Sequence, residues 1–194
     1  MTETVSFMTQ KELEKLFRTI EKSKDKHWLR DITMFRIAYR CGLRASEVGL
    51  IRVSDFNPKL NELYVRRNKN SLNNTIRLDD KTARYLKKFI KTYQLKDNDI
   101  MFRSQKGSPI SRQNLDRIMK KYCEQAKIKD QSKWHFHVMK HSIAVHLAES
   151  GLDVKELQHY LGHRNIASTL VYFQFTTRQQ DEMYQKISKN NQLV

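Results

Sequence analysis

Apolar residues recur along this chain at two different spacings. Near the N-terminus Leu13, Leu16, Phe17 and Ile20 follow one another at three- and four-residue steps, the spacing of a helix with one buried stripe. Thr9, three residues before Glu12, supplies a capping box at its start. A second helix is expected over 28–41, buried through Leu29, Ile32, Met34, Phe35, Ile37 and Ala38, with Gly42 just past its end. Ser46 and Glu47 open a short third turn of helix. Helical spacing fades after Phe56. The stretches 60–66 and 75–78 partly alternate and are joined by a polar loop from Asn68 to Asn74, which predicts a β-hairpin. Helices return over 80–93, 111–126, 137–150 and 154–161, with one or two more toward the C-terminus. Gly107-Ser-Pro109 marks a turn before the helix at Ser111, and Gly151 closes the one that contains His146. The pattern is α+β: mostly helical, with one small antiparallel sheet inserted.

The chain has 194 residues and no Ser/Gly/Pro linker, repeat period or charge block to divide it. It is therefore expected to be a single domain over residues 1–194. Composition changes the picture through its charge. Thirty-seven Lys and Arg face twenty-one Asp and Glu, a formal net charge of +16. Self-repulsion of that size points to a polyanionic partner, nucleic acid first and an anionic membrane surface second. No apolar run approaches the roughly 20 residues that span a bilayer, and the N-terminus has no signal-peptide pattern. Cys41 and Cys123 stand 82 positions apart, in no metal-type or redox-type pair, so reduced structural thiols in a cytoplasmic protein are expected.

There is no glycine-rich phosphate loop, H-E-x-x-H, C-x-x-C or G-x-S-x-G. Six of the seven histidines lie between Trp134 and Phe175. His137 and His141 are four apart, but no third ligand follows at a zinc-like spacing, so no metal is expected. A different set fits better. Arg44 stands at a sharp helix boundary, Lys69 in the hairpin loop, and His137 and Lys140 on one helical face. His163 follows Gly162 between two helices, with Tyr172 nine residues on. Cations, imidazoles and a phenol suit phosphoryl transfer on a nucleic-acid backbone.

The strings Cys41-Gly-Leu-Arg-Ala-Ser-Glu-Val48, His137-Val-Met-Lys-His141, Tyr160-Leu-Gly-His-Arg164 and Ser168-Thr-Leu-Val-Tyr172 resemble the catalytic domain of tyrosine site-specific recombinases, the phage integrase family. The stretches 104–113 and 161–166 are similar to the short members that invert fimbrial promoter switches. The N-terminal helical domain that most members add is not expected here, which makes this a naturally short member or an excised domain. The resemblance implies a metal-free, cofactor-free enzyme on double-stranded DNA, tetrameric on paired recombination sites and monomeric without DNA. Tyr172 would attack the scissile phosphate to form a 3′-phosphotyrosyl link. Arg44 would hold the non-bridging oxygens, Lys69 protonate the leaving 5′-oxygen, His137 help move the tyrosine proton and His163 bind the phosphate. Glu47 would brace the site from behind, and His141 would stand in support of it. Residues after Thr177, including Met183, Tyr184 and Ile187, would form the segment exchanged between neighbours.

One position departs from the pattern: the family's H-x-x-R is here His137-Val-Met-Lys140. Lysine keeps the charge and loses the planar two-pronged fork. A tolerated variation, an impaired relative and a deliberate substitution all remain open. A DNA-binding relative that regulates or occupies sites is the corresponding alternative, and a metal nuclease on the histidine cluster a third. Arg66 and Arg67 rival Lys69 for the loop cation. For DNA contact the candidates are Arg40, Arg52, Arg112, Arg117, Lys120, Lys121 and Arg164, the four from 112 to 121 on one helix.

Overall fold

A computed structural model describes residues 5–68, 71–104, 107–173, 184–185 and 187–188. The capping box forms as expected: Glu12 N–H donates to Thr9 Oγ1 at 3.2 Å and Thr9 N–H to Glu12 Oε2 at 2.8 Å. It starts α1 (Gln10–Glu21), whose stripe of Leu13, Leu16, Phe17 and Ile20 is buried. Helix α2 (Trp28–Arg40) buries all six apolar residues expected of it and is the axis of the molecule. It packs on α1, on α4 (Asp80–Thr92) and on α6 (Val138–Glu149). Helix α5 (Arg112–Gln125), capped by Ser111, lies against α1 and against the four-residue α3 (Ala45–Val48). Phe35 of α2 meets Phe136 and Tyr122 edge-on, at 5.2 and 6.2 Å between ring centres, and closes the main core.

The sheet is larger than the hairpin expected from the sequence. Strands β2 (Glu62–Val65) and β3 (Asn74–Arg77) pair antiparallel, with Leu63 opposite Ile76. A third strand, β1 (Phe56–Asn57), pairs with β2 through Phe56 and Leu63. Two residues carry no alternation to read, which is why the sequence pattern passes over them. Helix α7 (Val154–Leu161) matches its expected bounds, and the short α8 (Ala167–Leu170) follows. A second apolar cluster joins Ala144, Val145 and Ala148 of α6 to Leu157 and Leu161 of α7 and to Tyr172. Both cysteines are buried free thiols, their ionisation pushed up to about 12 by burial. No helix among the described residues is long and apolar enough to cross a membrane.

Two turns deliver chain to the site. Past α2, Gly42 takes φ +57° while Leu43 N–H reaches back to Ala38 O at 2.9 Å, a helix stop that needs a left-handed residue. Past α7, Gly162 (φ +66°) is approached so closely that a Cβ would stand 2.3 Å from Leu72 O. Leu72 N–H donates to Gly162 O at 2.8 Å, and Ser71 bridges to His163. The hairpin loop is thereby fastened to the end of α7.

Candidate active site

Glu47 organises the site. It is completely buried, and its carboxylate accepts from Arg44 N–H at 2.8 Å, Arg44 Nη1 at 2.9 Å and Arg67 Nη1 at 3.4 Å. Asn68 N–H adds a contact at 3.3 Å. Burial alone would raise its pKa, but the Arg44 amide and the charges of Arg67, Lys140 and Arg44 outweigh it and hold the group below the ordinary carboxylate range. Arg44 also donates Nη1 to Ser71 Oγ at 2.9 Å and stays about one-third exposed. That leaves the rest of its fork open to a substrate.

Arg67 is the residue that sequence reasoning undervalued. Its side chain is fully buried and donates to Gly42 O and Cys41 O at 2.9 Å each, to Tyr160 O at 3.2 Å and to Asn74 Oδ1. It thus ties the end of α2, the end of α7 and β3 to one point. A signal existed: Leu63 and Val65 of β2 point inward, and period two carries the inward side on to 67. With its donors spent on protein carbonyls Arg67 is no longer a rival for the loop cation, and Arg66 is paired with Asp55 at 2.7 Å. Lys69 itself lies outside the described residues.

Helix α6 is buried on most of its sides, polar residues included, which puts Lys140 inside the protein at 2% exposure. Its Nζ has no hydrogen-bond partner among the described residues. Burial first, then the charges of Arg44 and Arg67, pull its pKa down to about 7, with Glu47 opposing. Two guanidinium groups and a lysine amine therefore face one carboxylate.

Tyr172, 3% exposed, sets its hydroxyl 3.2 Å from His141 Nδ1. The ring of His141 stands edge-on to His137 at 4.5 Å. The structure thus places His141, assigned only a supporting position in the sequence reading, against the phenol; His137 stands one ring behind. His163 bonds Thr169 Oγ1 through Nδ1 at 3.0 Å, a partner with no sequence signal. Burial and the neighbouring cations depress all three imidazoles, His137 to about 4 and His141 and His163 to about 3. They are uncharged at neutral pH. Burial raises Tyr172 to about 12, with Arg44 pulling the other way.

The expected DNA-contact residues divide. Arg112, Arg117, Lys120 and Arg164 are exposed, and Arg112 is held only loosely, 3.7 Å from Asp116. Lys121 instead pairs with Asp25 and lies 4.9 Å from the Tyr122 ring centre. Arg52 spends Nη1 on Asn98 O, and Arg40 Nε is buried without a partner among the described residues. No three His, Cys, Asp or Glu side chains among the described residues gather as a metal centre would.

This fold, with a buried tyrosine beside cations and neutral imidazoles, defines a class of DNA strand-transfer enzyme, and comparison with known proteins agrees. The phage integrase family model matches residues 6–179. The type 1 fimbriae regulatory protein FimB of Escherichia coli K12 is 31% identical over 170 residues, 86% of this chain and 83% of FimB. Tyrosine recombinase XerA of Pyrococcus furiosus is 27% identical over 190 residues, 96% of this chain but 63% of XerA. Among solved structures, XerH recombinase bound to a palindromic difH substrate superposes with TM-score 0.80 at 22% identity, over 93% of this chain and 52% of XerH. The catalytic domain of bacteriophage HP1 integrase gives TM-score 0.68 at 19% identity, covering 94% and 95% of the two chains. The chain belongs to the phage integrase family. Its function is site-specific DNA recombination by the tyrosine recombinase class of enzyme.

Proposed function

We propose that this chain is a recombinase catalytic domain that cleaves double-stranded DNA through Tyr172 and rejoins it from a 3′-phosphotyrosyl intermediate. The observation that carries the reading is the buried excess of cations beside a tyrosine hydroxyl already seated on a neutral imidazole. Tyr172 Oη attacks phosphorus while the bond to the 5′-oxygen breaks, and the phenolic proton passes to His141 Nδ1, with His137 behind it. Arg44 and Lys140 face the charge that gathers on the non-bridging oxygens, where fixed donors lower the barrier most. His163, its Nδ1 engaged by Thr169, offers Nε2 to the phosphate. Lys69 protonates the leaving oxygen by family resemblance. No metal or cofactor enters the scheme.

The net charge of +16 supports binding to duplex phosphates, with Arg112, Arg117, Lys120 and Arg164 exposed for it. Action on cytoplasmic DNA, as a tetramer on paired sites, extends the reading. Tyr184 and Ile187, 62% and 47% exposed, belong to the segment assigned to subunit exchange; Met183 lies outside the described residues.

The test is incubation with a pool of nicked random-sequence duplexes in EDTA. Protein-linked DNA on a denaturing gel is expected. Cleavage that leaves no protein link and appears only when Mg2+ replaces the EDTA would point to a metal nuclease, and binding without cleavage to a site-occupying relative.

A further inference from the structure

A lysine is almost never fully buried without a partner, because an ammonium out of water needs a counter-ion. Lys140 is buried, and the described residues around it supply none to spare. From the start of α3 it faces Arg44 and Glu47, from the loop following β2 it faces Arg67, and from the turn after α7 it faces His163. From its own helix it faces His137 and His141. Helix α2 also packs on α6, and its Tyr39 Oη bonds His146 Nδ1 at 2.8 Å, between one and two turns further on from Lys140. The single carboxylate in this set already serves Arg44, Arg67 and two backbone amides. The three imidazoles are neutral, so they add no negative charge. An amine placed there gains nothing by protonation until an anion arrives.

We propose that Lys140 is a phosphate-gated cation: its amine is held uncharged in the empty site above neutral pH and takes a proton from solvent when an anionic oxygen enters. Arginine at this position would stay charged at every working pH. Lysine makes anion capture a proton-uptake step, so the site becomes fully cationic only when occupied. Its depressed pKa of about 7 fits this, since an arriving anion raises the pKa of a buried amine. The inference rests on the phosphoryl-transfer reading of the site, but its test does not depend on cleavage.

Sulfate is a suitable probe, because its charge is constant from pH 6 to 8.5. It is titrated into the parent protein, Lys140→Arg and Lys140→Met, and the His163 and His137 imidazole resonances are followed by NMR, whose spectra also report folding. Binding that requires the charged amine should weaken roughly thirtyfold in the parent between pH 6 and 8.5, the fall in the charged fraction for a pKa near 7. Lys140→Arg should change less than about twofold over that range, and Lys140→Met should bind weakly at both values. Equal parental affinity at the two pH values, the same pH dependence in Lys140→Arg, or no sulfate binding by the parent at all would overturn the proposal. Loss of the tyrosine adduct with sulfate behaviour intact would instead overturn the recombinase reading alone.

Discussion

Two buried carboxylates sit on neighbouring parts of this protein and are treated in opposite ways. Asp31 on α2 accepts from Arg30 at 2.7 Å and from Tyr122 Oη at 3.0 Å, one anion against one cation and a phenol. Glu47 on α3 is shared between Arg44 and Arg67, with Lys140 left over. The first arrangement is balanced and has no further use for a ligand. The second carries surplus positive charge inside the protein, which costs stability unless an anion arrives to offset it. Charge imbalance, rather than burial of charge as such, separates the reactive part of this fold from its scaffold.

The largest effect expected from breaking that contrast is chemical. Tyr172→Phe removes one hydroxyl and its 3.2 Å bond to His141, which should change stability by only about 1 kcal/mol. It should abolish covalent adduct formation while duplex binding persists. Lys140→Met should separate stability from rate. Removing a buried amine that has no partner among the described residues should raise the melting temperature, while single-turnover cleavage falls by about a hundred- to a thousandfold. Lys140→Arg should cleave at least as fast as the parent, because the fork is restored.

The two carboxylates themselves come next. Glu47→Gln leaves buried cations uncompensated and should cost about 3–5 kcal/mol in denaturant unfolding. Asp31→Asn keeps a hydrogen bond to Tyr122 and faces the partly exposed Arg30, so about 1–3 kcal/mol is expected. Equal losses would erase the distinction drawn between them.

Protonation sharpens the comparison through its sign. Lys140 is depressed in the folded state to about 7, so between there and its ordinary value near 10.5 the unfolded chain binds the extra proton. Stability relative to Lys140→Met should therefore rise with pH across that window, by at most about 1.4 kcal/mol per pH unit. His137, His141 and His163 are depressed from 6.5 to about 3–4. Their contribution is present above pH 6.5 and is lost as pH falls toward 4, so acid unfolding should begin within that range. The smallest effect belongs to the surface: Lys120→Ala should weaken duplex binding slightly and lower the log–log salt slope by about 1.

The scaffold was largely legible in the sequence. The stripes of α1 and α2, the Thr9 cap and the stops at Gly42 and Gly151 obey local rules that tertiary contacts did not override. The two-residue β1 was not legible, since no periodicity fits into it. At the site, residue types and order carried the family, and the fold brought Arg44, Glu47, Lys140, the imidazoles and Tyr172 together. Sequence could not show that His141, rather than His137, meets the phenol, because both lie on the same helical face and the choice depends on where α8 delivers Tyr172. Nor could it show that Lys140 lacks a hydrogen-bond partner among the described residues. That follows from how Arg44 and Arg67 divide Glu47, a matter of three elements far apart in the chain.

The most direct test of the central claim, that this charge surplus serves covalent chemistry at Tyr172, is to map the adduct. Trapped protein–DNA complex is digested with trypsin and the nucleotide-bearing peptide is sequenced by mass spectrometry. The account predicts the modification on Tyr172, in the peptide following Arg164. Modification of Tyr184, Tyr160 or any other residue would contradict it.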